Sequence, residues 1–278
     1  MHKPVLVTGA SSGIGEATAV HLAHKGFKVY AAARRLEKLN TLSALGDGRI
    51  TPIALDVTDE GSIDKAMQEI AARGDTLYGL VNNAGVSVMG PIEQVPMNEW
   101  RRLYETNVFG LINMAQAVLP QMRAAGEGRI VNVGSVAGRV VAPFFGVYAS
   151  SKHAVEGFTD AMRRELKMHG IKVSLIRPGF INTPFGEQEQ ESMTPYLDEG
   201  QPYVKQLEQF KAWHAKGHPN AKPPSIVAEK IYHALTAEHP HSRYTVPAHF
   251  VAYLMMRNLL PSAIVDRIFE RIVGFHKI

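Results

Sequence analysis

Tyr148 and Lys152 stand four residues apart in a segment, Tyr148 to Met168, whose pattern reads as helix, so their side chains share one face. A cation beside a phenol favours the phenolate and lowers a pKa that is otherwise about 10, which makes the pair a candidate acid/base group. Ser135 follows an apolar strand candidate, Gly128 to Val133. It therefore falls at the carboxyl end of a strand, where open α/β sheets bind ligands, and its hydroxyl suits a substrate oxygen. Gly9, Gly13 and Gly15 lie within TGASSGIG, between a short apolar run at Val5 to Val7 and helical spacing from Glu16 to His24. A glycine turn at that place lets the backbone approach a pyrophosphate, while helix N–H groups and the positive end of the helix dipole stabilise its charge. The spacing departs from GxGxxG, and a turn of this kind standing alone is sometimes only a tight loop. Arg34 and Arg35 come directly after the strand candidate Lys28 to Ala33. Their fixed donors suit a phosphate, although two arginines in isolation also read as solvated surface.

These residues need a frame, and the chain supplies one by alternating strands with helices. After Lys28 to Ala33 come a helix at Glu37 to Leu45, a strand at Ile50 to Asp56, and a helix over residues 60–73 capped by Asp59. A strand at Leu77 to Val81, a long helical region from Trp100 to Met122, and the strand and helix named above follow, then a strand at Ile171 to Ile176. This order predicts an α/β fold: a Rossmann-type doubly wound parallel sheet of about seven strands with helices on both faces, forming a single domain over residues 1–278. Residues 183–224 are charged, proline-bearing and without a sustained period, which predicts a mobile flap rather than a second domain. A helix at Ser225 to Ala237 and a last strand at Arg243 to Val246 precede a helical extension over 248–278.

Composition narrows the function classes. The 278 residues carry a formal charge of +4 with no long basic block, so nucleic acid is not an expected partner. There is no cysteine, which removes thiolate nucleophiles, disulfides and Cys-bearing metal sites, and makes any redox chemistry depend on a bound cofactor. Twelve histidines include His239 and His241 in HPH, but no HExxH occurs, and the expectation is no metal. The N-terminus has no long apolar segment ahead of a cleavage site, and the two longest stretches free of charge read as core, so a cytoplasmic location is expected.

TGASSGIG at 8–15, NNAG at 82–85, Ser135, Tyr148 with Lys152, and the PG pair at 178 and 179 together resemble the short-chain dehydrogenase/reductase family over about residues 4–183. The resemblance implies that Tyr148 is the general acid/base, that Ser135 positions the carbonyl or alcohol, and that Lys152 also holds the nicotinamide ribose. Asn107 resembles the asparagine that supports a water relay to that lysine. For the cofactor it implies contacts from Gly9, Ser11, Ser12, Gly13, Ile14 and Gly15 of the first turn, from Asn83, Ala84 and Gly85, and from Tyr148 and Lys152. Asp56 and Val57 resemble the adenine contacts, although Asp56 equally suits a cap on the following turn. Pro178, Gly179, Ile181 and Thr183 match the turn beneath nicotinamide, with Thr183 on its carboxamide. NAD-selective members carry an acid at the end of the second strand. Here that position is Ala33, and Arg34 and Arg35 follow, so NADP is the expected cofactor.

The expected activity is NADP(H)-dependent interconversion of an alcohol and a ketone or aldehyde on a small apolar substrate. The alternatives on the same resemblance are an epimerase or dehydratase, or a non-catalytic NADP-binding regulator. Phe144, Phe145, Phe185, Met193, Tyr196, Leu197 and Tyr203 offer an apolar wall, or else simply close the core. The C-terminal part loosely resembles the retinol and 17-beta-hydroxysteroid dehydrogenase branch, which makes steroid-, retinoid- and lipid-like substrates examples. Phe250, Leu254, Met255, Leu259, Ile264, Phe269, Ile272, Val273 and Phe275 are too many large apolar groups for a solvated tail. Packing within the protein is favoured over a membrane-surface helix in which Arg257, Arg267, Arg271 and Lys277 face anionic lipid. A homodimer, or a tetramer through helices near 100–122 and 148–168, is implied by the resemblance.

Overall fold

The structure, a computed structural model, describes residues 3–217 and 221–273. Phe275 and Lys277 of the expected tail, three residues of the expected flap (218–220) and the side chains of Ile272 and Val273 lie outside the described part. Among the described residues seven strands form one sheet: β1 (Pro4–Thr8), β2 (Lys28–Ala33), β3 (Ile50–Ala54), β4 (Gly79–Asn82), β5 (Gly128–Val133), β6 (Ile171–Pro178) and β7 (Arg243–Val246). They run in the order β3-β2-β1-β4-β5-β6-β7, and every neighbouring pair is parallel. The chain first winds outward from β1 to β3, then returns across β1 to β4 and winds the other way. The reversal opens a crevice at the carboxyl ends of β1 and β4, the usual ligand position in such sheets.

Both faces of the sheet are covered, as the unbroken apolar run Val5, Leu6, Val7 requires. Strand side chains alternate sides, so Val5, Val7, Val29, Ala31, Val81 and Val131 share one layer with Ala19, Leu22 and Ala23 of α1 (Gly13–His24) and with Val227 and Ile231 of α9 (Ser225–Thr236). Leu6, Tyr30, Ala32, Leu80 and Ile130 point the other way. They meet Ile63, Ala66 and Ile70 of α3 (Glu60–Ala72) and Met114, Val118 and Met122 of α5 (Gly110–Ala125). Asp59 caps α3 as its position predicts, its carboxylate accepting from the Ser62 N–H at 3.2 Å. The remaining helices are α2 (Leu36–Ser43), α4 (Met97–Tyr104), α6 (Gly146–Glu165), α7 (Phe185–Ser192), α8 (Val204–Gly217), α10 (His249–Leu259) and α11 (Ser262–Val273).

Two segments depart from the sequence reading. The helical region expected from Trp100 to Met122 begins at Met97, after Pro96, and is broken by a π-turn at Glu105–Phe109. The wide turn holds Asn107, whose amide is drawn inward by Val86 and Ser151, and such bulges concentrate at functional sites. Residues 183–224 are not without period: α7 and α8 lie there, and Leu207, Phe210 and His214 form a buried i, i+3, i+7 stripe. Leu207 and Phe210 pack on Met89, Phe144 and Met193. The prolines and exposed charges around these helices mask the stripe. In the tail, Phe250 sits over Gly179 and against Phe180, and Leu254 and Phe269 are buried, which agrees with packing inside the protein. Val251, Met255, Leu259 and Ile264 remain exposed on the outer side.

Candidate functional site

A cleft of about 320 Å³ opens at the carboxyl edge of the sheet. Its floor is the first turn. Gly9 and Gly13 have φ of 64° and 59°, the left-handed region that favours glycine, and a Cβ on Gly9 would stand 2.8 Å from the Ala84 Cα. Ser12 precedes α1 in extended conformation but its hydroxyl makes no capping bond, so the N–H groups of the first helical turn face the cleft without a side-chain acceptor. Thr8, Gly9, Ser11, Ser12, Gly13 and Ile14 all line it.

Gly15 does not line the cleft. A Cβ there would lie 2.3 Å from the Gly9 carbonyl oxygen and 2.5 Å from Asn83 Nδ2, so the glycine permits the turn, the helix and the NNAG loop to close on one another. The structure gives it a packing role at this junction. Thr8, which the sequence reading did not single out, holds the same junction. Its Oγ1 accepts from the N–H groups of Asn83 and Ala84, each at 3.0 Å, while Asn83 Nδ2 donates to the carbonyls of Thr8 (3.0 Å) and Gly9 (3.2 Å). Asn83, Ala84 and Gly85 thereby present backbone to the cleft.

At the other end of the floor Arg34 and Arg35 leave β2 exposed, line the cleft, and form no ion pair among the described residues. Asp56 and Val57 line it too, and Asp56 also serves as the cap: its Oδ1 accepts from the N–H and Oγ1 of Thr58, at 3.0 and 2.8 Å. Val57 backs onto Gly110, where any Cβ would be 2.7 Å from its Cγ2. On the far wall lie Pro178, Gly179, Ile181 and Thr183, the last in contact range of Gly13.

Ser135, Tyr148 and Lys152 meet on one side of this cleft. Ser135 extends beyond β5, and its Oγ accepts from the Ala137 N–H at 3.1 Å and hydrogen-bonds the Tyr148 side chain. Tyr148 and Lys152 are two turns' starting residues of one α6 face, both nearly fully buried. Burial pushes the Tyr148 phenol well above its ordinary value. The Glu189 carboxylate adds to the rise and the Ser135 bond opposes it. The expected lowering by Lys152 is therefore not what this arrangement produces: the phenol is held neutral, a proton donor rather than a standing phenolate. Burial in turn brings Lys152 down to about 8, while its Nζ donates to the Val133 carbonyl at 3.0 Å and lies 5.7 Å from the Tyr148 ring centre.

Asn107 is not on the cleft surface. Its Oδ1 accepts from the Val86 N–H at 2.8 Å and its Nδ2 donates to the Val86 carbonyl (2.9 Å) and Ser151 Oγ (3.2 Å). It ties the loop after β4 to the helix that carries Tyr148. The substrate end is walled by Phe145, Phe180 and Phe185, with Phe185 centred 5.8 Å from the Tyr148 ring. Glu189 and His214 also face it, and neither was foreseen from sequence. The 207/210/214 stripe was the available signal for His214.

The residues fit a dinucleotide with an extra phosphate. A glycine floor that a Cβ would fill and uncapped helix N–H groups suit a pyrophosphate, and Arg34 and Arg35, without acidic partners among the described residues, suit a further phosphate. Among the described residues no group of three potential metal ligands converges.

Residues 3–194 match the family model described as short chain dehydrogenase. The uncharacterized oxidoreductase YbbO of Escherichia coli strain K12 is 36% identical over 273 residues, covering 97% of this chain and 95% of that protein. The NADPH-dependent 3-dehydrocapnine reductase of Ornithobacterium rhinotracheale is 35% identical, with 96% and 95% covered. Human retinol dehydrogenase 16 is 34% identical, with 96% and 87% covered. Among solved structures, a short-chain dehydrogenase from Streptomyces avermitilis superposes with a TM-score of 0.82 at 31% identity, covering 100% of this chain and 99% of that one. A serine dehydrogenase complexed with NADP+ gives 0.74 at 30% identity, over 87% and 94%.

Proposed function

Because this chain belongs to the short-chain dehydrogenase family, we propose that its cleft binds NADP(H) and that it interconverts an alcohol and a ketone or aldehyde on an apolar, lipid-like substrate. The observation that carries the reading is the meeting of Ser135, Tyr148 and Lys152 in one cleft with the glycine floor and with Arg34 and Arg35, which form no ion pair among the described residues. NADP-bound and NADPH-dependent relatives support the cofactor, and the names of the dehydrocapnine and retinol relatives support a lipid-like substrate.

The nicotinamide, when bound, supplies or accepts the hydride. In the reductive direction Ser135 Oγ donates to the substrate oxygen and orients it, and Tyr148 Oη delivers the proton that the oxygen needs as it becomes an alcohol. Burial keeps that proton on Tyr148 until the transfer. Lys152 then faces a new phenolate and stabilises it, and its ammonium is also the group available to a ribose. Asn107 keeps the loop at Val86 and the α6 face in register. Phe145, Phe180 and Phe185 exclude water from the reacting carbon.

We take the chain as one catalytic unit in which α7, α8 and the tail close the substrate end. We take Phe109 on the π-turn and Phe158 on α6, both exposed, as part of a homodimer face. Among the described residues no helix is long and apolar enough to cross a membrane. The test is a panel of apolar ketones, aldehydes and alcohols, following NADPH and NADH absorbance in both directions. Turnover of some member with NADPH preferred is the expected result; silence across the panel with both coenzymes overturns the reading.

A further inference from the structure

Four polar residues of α6, Tyr148, Lys152, Glu156 and Asp160, follow one another at four-residue intervals and so lie along one helix face. The first two enter the cleft, and the second two take arginines from the sheet. Glu156 is 6% exposed, and its carboxylate oxygens accept from Nε and Nη2 of Arg177 on β6, at 2.5 and 2.6 Å. Arg243 on β7 reaches the same carboxylate from 3.4 Å and bonds Asp160 at 2.7 Å. Gly138 closes the turn that Ser135 opens and fits against this face. A Cβ there would stand 2.9 Å from the Lys152 carbonyl oxygen and 3.4 Å from the Glu156 Cγ.

The Glu156–Arg177 bond has the chemistry close by on both sides. Glu156 is one helical turn from Lys152 and two from Tyr148, while Arg177 directly precedes Pro178 and Gly179, which line the facing wall of the cleft. That wall is also held by β7, where the Gly179 N–H donates to the Val246 carbonyl at 2.7 Å. Stability by itself does not call for charge here. Taking two ions out of water costs about as much as their attraction returns, and apolar residues of like volume commonly serve a core as well or better. A guanidinium fork on a carboxylate adds direction, because two parallel bonds fix both the distance and the angle between the elements that carry them. We propose, resting on the oxidoreductase reading, that Glu156 and Arg177 are positioning residues for hydride transfer: they set the register between the Tyr148–Lys152 face of α6 and the wall at Pro178 and Gly179. Arg34 and Arg35 take the phosphate at the other end of the cleft, which leaves the nicotinamide to this end. Neither Glu156 nor Arg177 lines the cleft, and both act through the residues they hold.

The experiment separates position from stability by removing both charges together. In Glu156→Leu combined with Arg177→Met the desolvation cost goes with the pair, so the apo protein should melt within about 5 °C of wild type or above it. Arg243 keeps Asp160 as its partner. NADPH affinity, read by fluorescence titration, should stay within about three-fold, because the glycine floor and Arg34 are untouched. The single-turnover rate of hydride transfer from bound NADPH, to an apolar ketone that the wild type reduces, should fall at least about ten-fold, since a misplacement of about 1 Å can cost about 10²-fold. A rate within about two-fold of wild type at saturating NADPH overturns the inference, whatever happens to melting, while the oxidoreductase reading stands. Arg177→Lys covers the case in which the double variant does not fold. It keeps the charge and loses the two-point bond, so the rate should drop about three-fold or more with NADPH affinity little changed, and a wild-type rate overturns the inference. A wild-type protein that reduces no ketone or aldehyde and oxidises no alcohol with either coenzyme overturns the oxidoreductase reading and the inference with it.

Discussion

Gly15→Ala separates packing from cofactor contact at the first turn. The added methyl would stand 2.3 Å from the Gly9 oxygen, 2.8 Å from the Gly9 carbonyl carbon and 2.5 Å from Asn83 Nδ2. Ordinary contact begins near 3.4 Å, so relief needs a displacement of about 1 Å in backbone that cannot rotate away. The first groups to move are Asn83 Nδ2 and the Gly9 peptide, which breaks the bonds from Nδ2 to Thr8 and Gly9. Overpacking costs about 1–3 kcal/mol and a stranded buried donor about as much again, so a net loss of about 2–6 kcal/mol is expected. For a chain of this size that is a fall of about 4–20 °C in Tm. NADPH affinity should fall at least about ten-fold in the same variant, because Gly9 and Ala84 form the floor. The measurements are thermal melting without coenzyme and fluorescence titration with NADPH. A variant that melts like wild type yet binds NADPH poorly would show that Gly15 touches the coenzyme directly, and the packing argument would fail.

Tyr148→Phe keeps the ring against Phe185 and removes the proton donor, so turnover should drop by about 10²-fold or more with NADPH affinity little changed; near-normal turnover refutes the mechanism. Arg34→Ala should weaken NADPH binding about ten-fold or more and NADH binding far less, and equal losses by titration would clear Arg34 of phosphate recognition. Lys152 bears on stability as well as on turnover. Its folded value of about 8 lies below the ordinary 10.5, so the unfolded chain binds more protons between those values. Apo stability therefore gains as pH rises from about 8 toward 10.5, and the full cost of the buried ammonium is present below 8. Lys152→Met should raise the apo Tm at pH 7 and remove that part of the pH dependence while abolishing turnover; parallel wild-type and variant melting profiles would contradict it.

The strand and helix order, the glycine turn, and the Ser135, Tyr148 and Lys152 set were legible in the chain because each is a local pattern. The apolar run Val5, Leu6 and Val7, or a four-residue spacing on one helix, survives any tertiary context. What a residue does once neighbours close around it is another matter. That Gly15 is wedged against Gly9 and Asn83, one of them far away in sequence, no local pattern shows. Asn107 reads as an ordinary helix position, and only the structure shows it on a π-turn with its amide bonded to Val86 and Ser151. The phenol of Tyr148 reads as lowered by Lys152, but desolvation depends on everything that surrounds the ring and outweighs the spacing. Glu189 and His214 belong to two helices separated by prolines, and only the folding of both over the cleft brings them to its lining. Local sequence thus determined the sheet and which residues meet in its cleft. Burial and charge are sums over contacts distant in sequence, so the protonation of those residues and the shape of the substrate end were decided by the tertiary structure.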